Sequence, residues 1–177
     1  MMELQIFNGD CALAAWRKSG LPGETLVWRE DYRHGPLPET DDPEAFARIR
    51  ATALHELAPD LPEEEIQAEL LAMHRRLLSL RPEDRAVLWI DGCPFDRLLL
   101  ARLLYLLHSM AEPPTVELIA ADVVWNAGEF QRRRSQGVLL NATDLQLGAA
   151  VWSAWRAGNP TPDGDFTRLY FLKRRTE

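Results

Sequence analysis

A chain of 177 residues with 46% hydrophobic and 27% charged side chains can build one α/β domain with a full core, and this composition excludes an intrinsically disordered segment. Its net charge of −7 and pI near 5.2 argue against a broad basic face, so general nucleic-acid binding is not expected. No apolar run is long enough to span a bilayer and no secretory leader pattern opens the chain, so no membrane association and a cytoplasmic location are expected.

The elements follow in chain order. Leu4 to Phe7 is a short apolar run that stops at Asn8-Gly9-Asp10-Cys11 and passes into a helix over Ala12 to Ser19. Gly20 and Leu21-Pro22-Gly23 end that helix and turn the chain into a second strand, Thr25 to Trp28. Asp42 before Pro43 and Glu44 is a helix start, and Pro59 closes the helix from Pro43 to Ala58. Pro62-Glu63-Glu64-Glu65 opens the next helix with acid at the end favoured by the macrodipole, and Arg75-Arg76 lies near its other end. A third strand, Ala86 to Ile90, ends in Asp91-Gly92-Cys93-Pro94 and feeds a leucine-rich helix over Phe95 to Met110. Val116 to Ala120 is a fourth strand, Asp122 to Arg134 is either a loop or a short helix, and Asn141 to Asp144 caps a late amphipathic helix that Gly158-Asn159-Pro160 closes. Thr167 to Lys173 alternates enough for a last strand.

The strand candidates are nearly continuous in hydrophobicity, which is the mark of strands covered by helices on both faces. The expected fold is one three-layer α/β domain, Rossmann- or flavodoxin-like, with a mainly parallel open sheet of four or five strands. The two helices after the second strand are expected to form an inserted hairpin.

Asn8-Gly9-Asp10, Leu21-Pro22-Gly23 leading to Val27-Trp28-Arg29-Glu30, His34-Gly35-Pro36, Leu88-Trp89, Phe95-Asp96 and the leucine-rich helix recur together in one order. In that order and spacing the chain resembles the bacterial family known as domain of unknown function 1835, from about residue 3 to about residue 160, the late helix with Trp152 and Trp155 included. The resemblance implies no mechanism. Members usually carry serine where this chain has Cys11, and an acidic residue, histidine and aspartate where it has Asp91-Gly92-Cys93. Many are also longer at the carboxyl end.

In a doubly wound sheet the first and third strands are neighbours at a switch point, and ligands bind at the carboxyl ends of the strands there. One rim would then collect Asp10, Glu30, Asp31, Asp91, Asp96 and Asp122, with Arg29, Arg33 and His34 among them. Converging carboxylates can hold magnesium or share protons. The ordinary role of Asp10 and Asp96, standing where helices begin, is capping, whereas Glu30 and Asp31 have no helix beside them and otherwise read as a solvated loop. Asn8-Gly9-Asp10 lets a ligand approach the backbone, though it is neither a dinucleotide fingerprint nor a P-loop, and its plain alternative is a tight turn. Arg29 can clamp a phosphate and His34 can move a proton, or simply stand exposed.

The remaining residues carry less. His55, His74 and His108 lack partners at ligand spacing. Cys11 and Cys93 have no C-x-x-C spacing and read as small apolar residues, although neighbouring strands would bring them near each other. The six tryptophans read as core, with Trp28 and Trp125 near enough to strand ends to stack on a ligand ring. Arg132-Arg133-Arg134 and Lys173-Arg174-Arg175 read as solvated clusters.

The expected function is therefore binding of a small anionic ligand, nucleotide-like or phosphorylated, at the ends of strands one and three. Asn8, Gly9, Asp10, Arg29 and Asp96 would bind it. Metal-assisted phosphoryl transfer or hydrolysis would follow if Glu30, Asp91 and His34 act as catalytic groups, with magnesium as the candidate cofactor. The alternative is a non-catalytic ligand sensor or partner-binding module, and the helix-rich margins also leave room for a homodimer.

Overall fold

The computed structural model describes residues 1–158, and the strand expected over Thr167 to Lys173 lies outside them. Within the described residues the chain forms a five-stranded sheet with helices on both faces. The elements are β1 (Glu3–Asn8), α1 (Gly9–Ser19), β2 (Glu24–Trp28), α2 (Pro43–Leu57), α3 (Glu63–Leu78), β3 (Arg85–Ile90), α4 (Pro94–His108), β4 (Thr115–Ala120), α5 (Ala127–Arg133), β5 (Val138–Leu139) and α6 (Ala142–Arg156). A single 3₁₀ turn, Arg134–Gln136, joins α5 to β5.

The strands lie in the order β2-β1-β3-β4-β5. The first four are parallel and β5 is antiparallel to β4. This is the flavodoxin-type order, in which the connections leave β1 and β3 toward opposite edges and open a crevice between their carboxyl ends. Ile6 stands opposite Leu26 on one side and Leu88 on the other, and Leu88 opposite Leu118.

Because successive side chains of a strand point to opposite faces, each parallel strand contributes to two cores. Leu4, Ile6, Leu26, Trp28, Leu88, Ile90 and Leu118 enter the larger one, closed by Phe46 of α2, Met73 and Leu77 of α3, the leucines of α4 and Trp152 of α6. Phe7, Val27, Val87, Trp89 and Ile119 enter the smaller one beneath α1 and α5, where Trp16 and Phe130 complete an aromatic cluster. Trp16 and Phe130 meet edge to face at 5.3 Å, and Trp89 lies 4.9 Å from Phe130. Trp28, read as core although it ends a strand, is fully buried and donates from Nε1 to the Tyr32 hydroxyl at 2.8 Å. Trp125, by contrast, is half-buried and stacks on Phe130.

The helix boundaries have local causes. The Asp42 side chain accepts from the Ala45 N–H at the start of α2, with Pro43 in the first turn. At α6 the expected cap is a full capping box between Asn141 and Asp144. The stretch that read as loop or helix resolves into α5, started by an Asn126 cap and seven residues long. Helices α2 and α3 separate β2 from β3 and pack on each other. Among the described residues no helix is long and apolar enough to cross a membrane.

Candidate functional site

Three turns meet at the carboxyl ends of β1 and β3. Asn8 ends β1 in the N-cap position of α1, yet its side chain makes no capping hydrogen bond. Its amide donates instead to Asp96 Oδ1, 2.9 Å away across the crevice. The α1 amino terminus therefore lacks the side-chain partner that a helix start normally has. Gly9 follows with φ of +73°, and a Cβ built there would meet nothing within 4 Å, so its outer face is open.

Across from it, the β3–α4 turn is sewn together by its own side chains. The Asp91 N–H donates to Asp96 Oδ2 at 2.8 Å, the Cys93 N–H to Asp91 Oδ1 at 2.7 Å, and the Asp96 N–H to Cys93 Sγ at 3.4 Å. Asp96 is buried, and that burial raises its carboxyl to about 6, with neighbouring Asp91 pushing the same way against the hydrogen bonds it accepts. Burial and the Asp91 carboxylate likewise hold the Cys93 thiol up at about 11. Cys93 is thus a protonated thiol at neutral pH and a helix cap, and both it and the exposed Cys11 are free.

One ligand atom each from Asp91, Cys93 and Asp96 lies within 4.8 Å of the others. The donor set fits magnesium poorly. Magnesium requires oxygen ligands in a near-octahedral array, whereas here one donor is a protonated thiol and both Asp96 oxygens already accept hydrogen bonds. Asp91 alone remains as a carboxylate ligand.

Capping is not what Asp10 and Asp96 do. Asp10 stands in the first turn of α1 and its side chain forms a bidentate pair with Arg29, at 2.6 Å to Nη2 and 3.1 Å to Nε, which lowers its carboxyl pKa. Asp96 ties the β3–α4 turn to β1. Arg29 also reaches Glu69 of α3 at 2.5 Å, so the expected phosphate clamp is already held by two carboxylates.

Glu30 is not on the rim. It is buried against Arg50 of α2, with Nε to Oε1 at 2.6 Å and no side-chain exposure on either partner. Desolvation raises its carboxyl pKa and the Arg50 charge opposes that rise. The physical reason is topological: β2 ends beneath α2 and α3, so the residue after Trp28 that looks loop-like in sequence turns inward. Tyr32 and Arg102, both buried, also act on its charge, and His74 is buried beside Arg102. His74 donates from Nδ1 to the Leu70 carbonyl at 2.7 Å and accepts from Arg102 Nη2 at 3.1 Å, a neutral imidazole whose pKa burial lowers to about 4. Arg102 lies over the rings of Phe46, Trp152 and Tyr105, at 4.1, 5.0 and 5.5 Å from their centroids.

His34 and Arg33 sit on the segment between β2 and α2. Arg33 pairs with Asp31 at 2.6 Å and lies over the Phe95 ring at 5.3 Å, bringing this segment onto the β3–α4 turn. His34 is exposed, with Nε2 3.6 Å from Asp31 Oδ2. Of the expected residues the crevice therefore gathers Asn8, Gly9, Asp91 and Asp96, with Arg33 and His34 alongside. Asp10 and Arg29 form an exposed pair beside it, Asp122 follows β4, and Glu30 belongs to the interior.

Sequence reasoning passed over Arg50 and Arg102, the two buried arginines among the described residues. Their signal was present: Arg50 follows Phe46 by four residues on the apolar stripe of α2, and Arg102 stands amid the leucines of α4. A cleft of about 400 Å³ at the opposite end of the sheet, lined by Met110, Pro114, Val116, Leu139 and Leu145, lies away from this chemistry. No family model matches the chain, and no curated protein or solved structure matches it, so its own geometry is the ground on which a function is assigned.

Proposed function

We propose that the crevice between the carboxyl ends of β1 and β3 binds a small anionic ligand of the nucleotide-like or phosphorylated class. The observation that carries this is the amino terminus of α1, where Asn8 turns its side chain to Asp96 and leaves the first turn without a side-chain cap, beside an open Gly9. Uncapped N–H groups and the positive end of the helix dipole favour an anion there. Asp96, at about 6, is a carboxyl able to give or take a proton near neutrality, and it sits one hydrogen bond from Asn8. If the ligand is a substrate, Asp96 and Asp91 are the acid–base pair beside it and His34 the mobile proton carrier, which makes hydrolysis or phosphoryl transfer the reaction class. No step is routed through magnesium. The likeness to the domain of unknown function 1835 family carries into this proposal without adding a mechanism.

A partner-binding face on the late helix would expose leucine or tryptophan. Leu145 and Trp152 of α6 are buried, and Leu147 and Trp155 are half-buried against the core. The test of the ligand reading is a thermal-shift screen with inorganic phosphate, nucleotides and sugar phosphates, on wild type and Asn8→Asp. A carboxylate at position 8 would cap α1 itself and repel an anion, so the shift seen with wild type should vanish. A wild type that no phosphorylated compound stabilises would sink the proposal.

A further inference from the structure

The segment of residues 29–42 crosses the carboxyl edge of the sheet between β2 and α2 without regular secondary structure. A stretch like this is held by side chains or not at all, because its backbone has no ladder to join. Arg50, fully buried on α2, supplies the hold. Its Nη2 donates to the Asp31 carbonyl at 2.9 Å, and its Nη1 to the carbonyls of His34 and Pro36 at 2.6 and 3.0 Å, while Nε pairs with Glu30 at 2.6 Å. One guanidinium fork thus grips three carbonyls and the carboxylate that neutralises it. Gly35 lies in the same grip. Its φ is +74°, and a Cβ there would stand 2.7 Å from the Ala53 Cβ and 3.3 Å from Arg50 Nη1, so the segment is seated directly on α2. The far side of the grip is Arg33, over Phe95 and within electrostatic reach of the Cys93 thiol.

We infer that Arg50 is a positioning residue for the crevice: it touches no ligand, but its fork sets the 29–42 segment as a strap whose Arg33 closes over the β3–α4 turn at Phe95 and Cys93. The strap's ligand consequence rests on the anion-binding reading; its geometry does not. A fork is required because an ammonium can balance Glu30 but cannot address three carbonyls in one plane.

The experiment separates the two. In a Cys11→Ser background, the rate of N-ethylmaleimide modification of Cys93 is measured for wild type, Arg50→Lys and Gly35→Ala, with amide exchange of the β1 core followed in parallel. Arg50→Lys keeps the charge opposite Glu30, and Gly35→Ala leaves the Arg50–Glu30 pair in place while unseating the strap. Both should accelerate Cys93 modification by about tenfold, the effect of losing a charge-assisted hydrogen bond that holds a local closed form, with β1 exchange unchanged. Unchanged modification in both variants overturns the inference, and so does an equal rise in β1 exchange, which would mean general loosening. Inorganic phosphate is then titrated into each protein. A weaker phosphate-induced thermal shift in both variants extends the strap's role to the ligand. If wild type shows no shift while Cys93 modification still accelerates, the anion reading fails and the positioning role of Arg50 stands.

Discussion

Two groups of ionisable residues, one in the interior beneath α2 and one at the carboxyl ends of β1 and β3, differ in what holds them. In the interior, Glu30, Arg50, Arg102 and the neutral His74 are buried, Glu30 paired with Arg50, whose fork also grips main-chain carbonyls, and Arg102 donating to His74, so these groups have been converted into structure. At the crevice, Asp91 and Asp96 are bonded mainly to their own turn, next to a helix start that nothing caps. A titratable group that is surrounded by its own protein reads as framework, and one that faces an open helix terminus reads as chemistry. Glu30 and Asp96 exchange roles on this criterion: the residue that seemed free in sequence is framework, and the one that seemed a cap is the candidate acid.

The comparison can be broken most severely at Arg50. Arg50→Met should lower the unfolding free energy by about 3–5 kcal/mol in denaturant titrations, since Glu30 would be left as an unpaired buried charge. A loss under about 1 kcal/mol would show that the interior network is not framework.

The two regions also carry opposite pH signs. The His74 imidazole is depressed from 6.5 to about 4, so its contribution is fully present above pH 6.5 and is lost as pH falls toward 4. The Asp96 carboxyl is raised from 3.8 to about 6, so its contribution is fully present below 3.8 and is lost as pH rises through 6. Each shift corresponds to about 3 kcal/mol and the two oppose each other between pH 4 and 6. Unfolding curves for His74→Gln should therefore lose the acid-side decline due to this site, and those for Asp96→Asn the neutral-side decline. A carboxyl carbon titration of Asp96 with its midpoint near 4 would remove it as the candidate acid.

Smaller effects sharpen the boundary of the site. Asn8→Ala should weaken the coupling of β1 to the β3–α4 turn by about 1 kcal/mol, the worth of one half-buried hydrogen bond, and, by removing a donor to the carboxylate, raise the Asp96 midpoint, though less than Asn8→Asp raises it. Asp10→Ala should change stability least, because the pair it makes with Arg29 is exposed and salt-screened. Unfolding midpoints at low and high salt would check this, and a large salt-independent loss would move Asp10 from the margin into the site.

Much of the fold was legible because it depends on local patterns. Continuous apolar runs marked the four parallel strands within a residue of their ends, and the Asp42-Pro43 and Asn141-Asp144 signals marked helix starts that formed as read. The two-residue β5 carries no such pattern, since antiparallel pairing with β4 through Leu139 and Val138 is decided by what lies across the gap. The crevice was located by the same logic, because strand ends and helix starts are sequence features. Its membership was not, because whether Glu30 turns inward and whether Asn8 caps α1 or reaches Asp96 depends on residues 20 and 88 positions away.

By itself, then, the amino-acid order determined the layered α/β class, the position of the switch point and the acidic character of its rim. These follow from the period of hydrophobicity and from turn chemistry, both short-range. Only the tertiary structure decided that Arg50 neutralises Glu30 and gathers the strap, that Asp96 is desolvated and Asp10 is not, and that α1 begins uncapped. Burial and long-range pairing set those outcomes, and a pKa or a free helix end is a property of surroundings that no single residue carries.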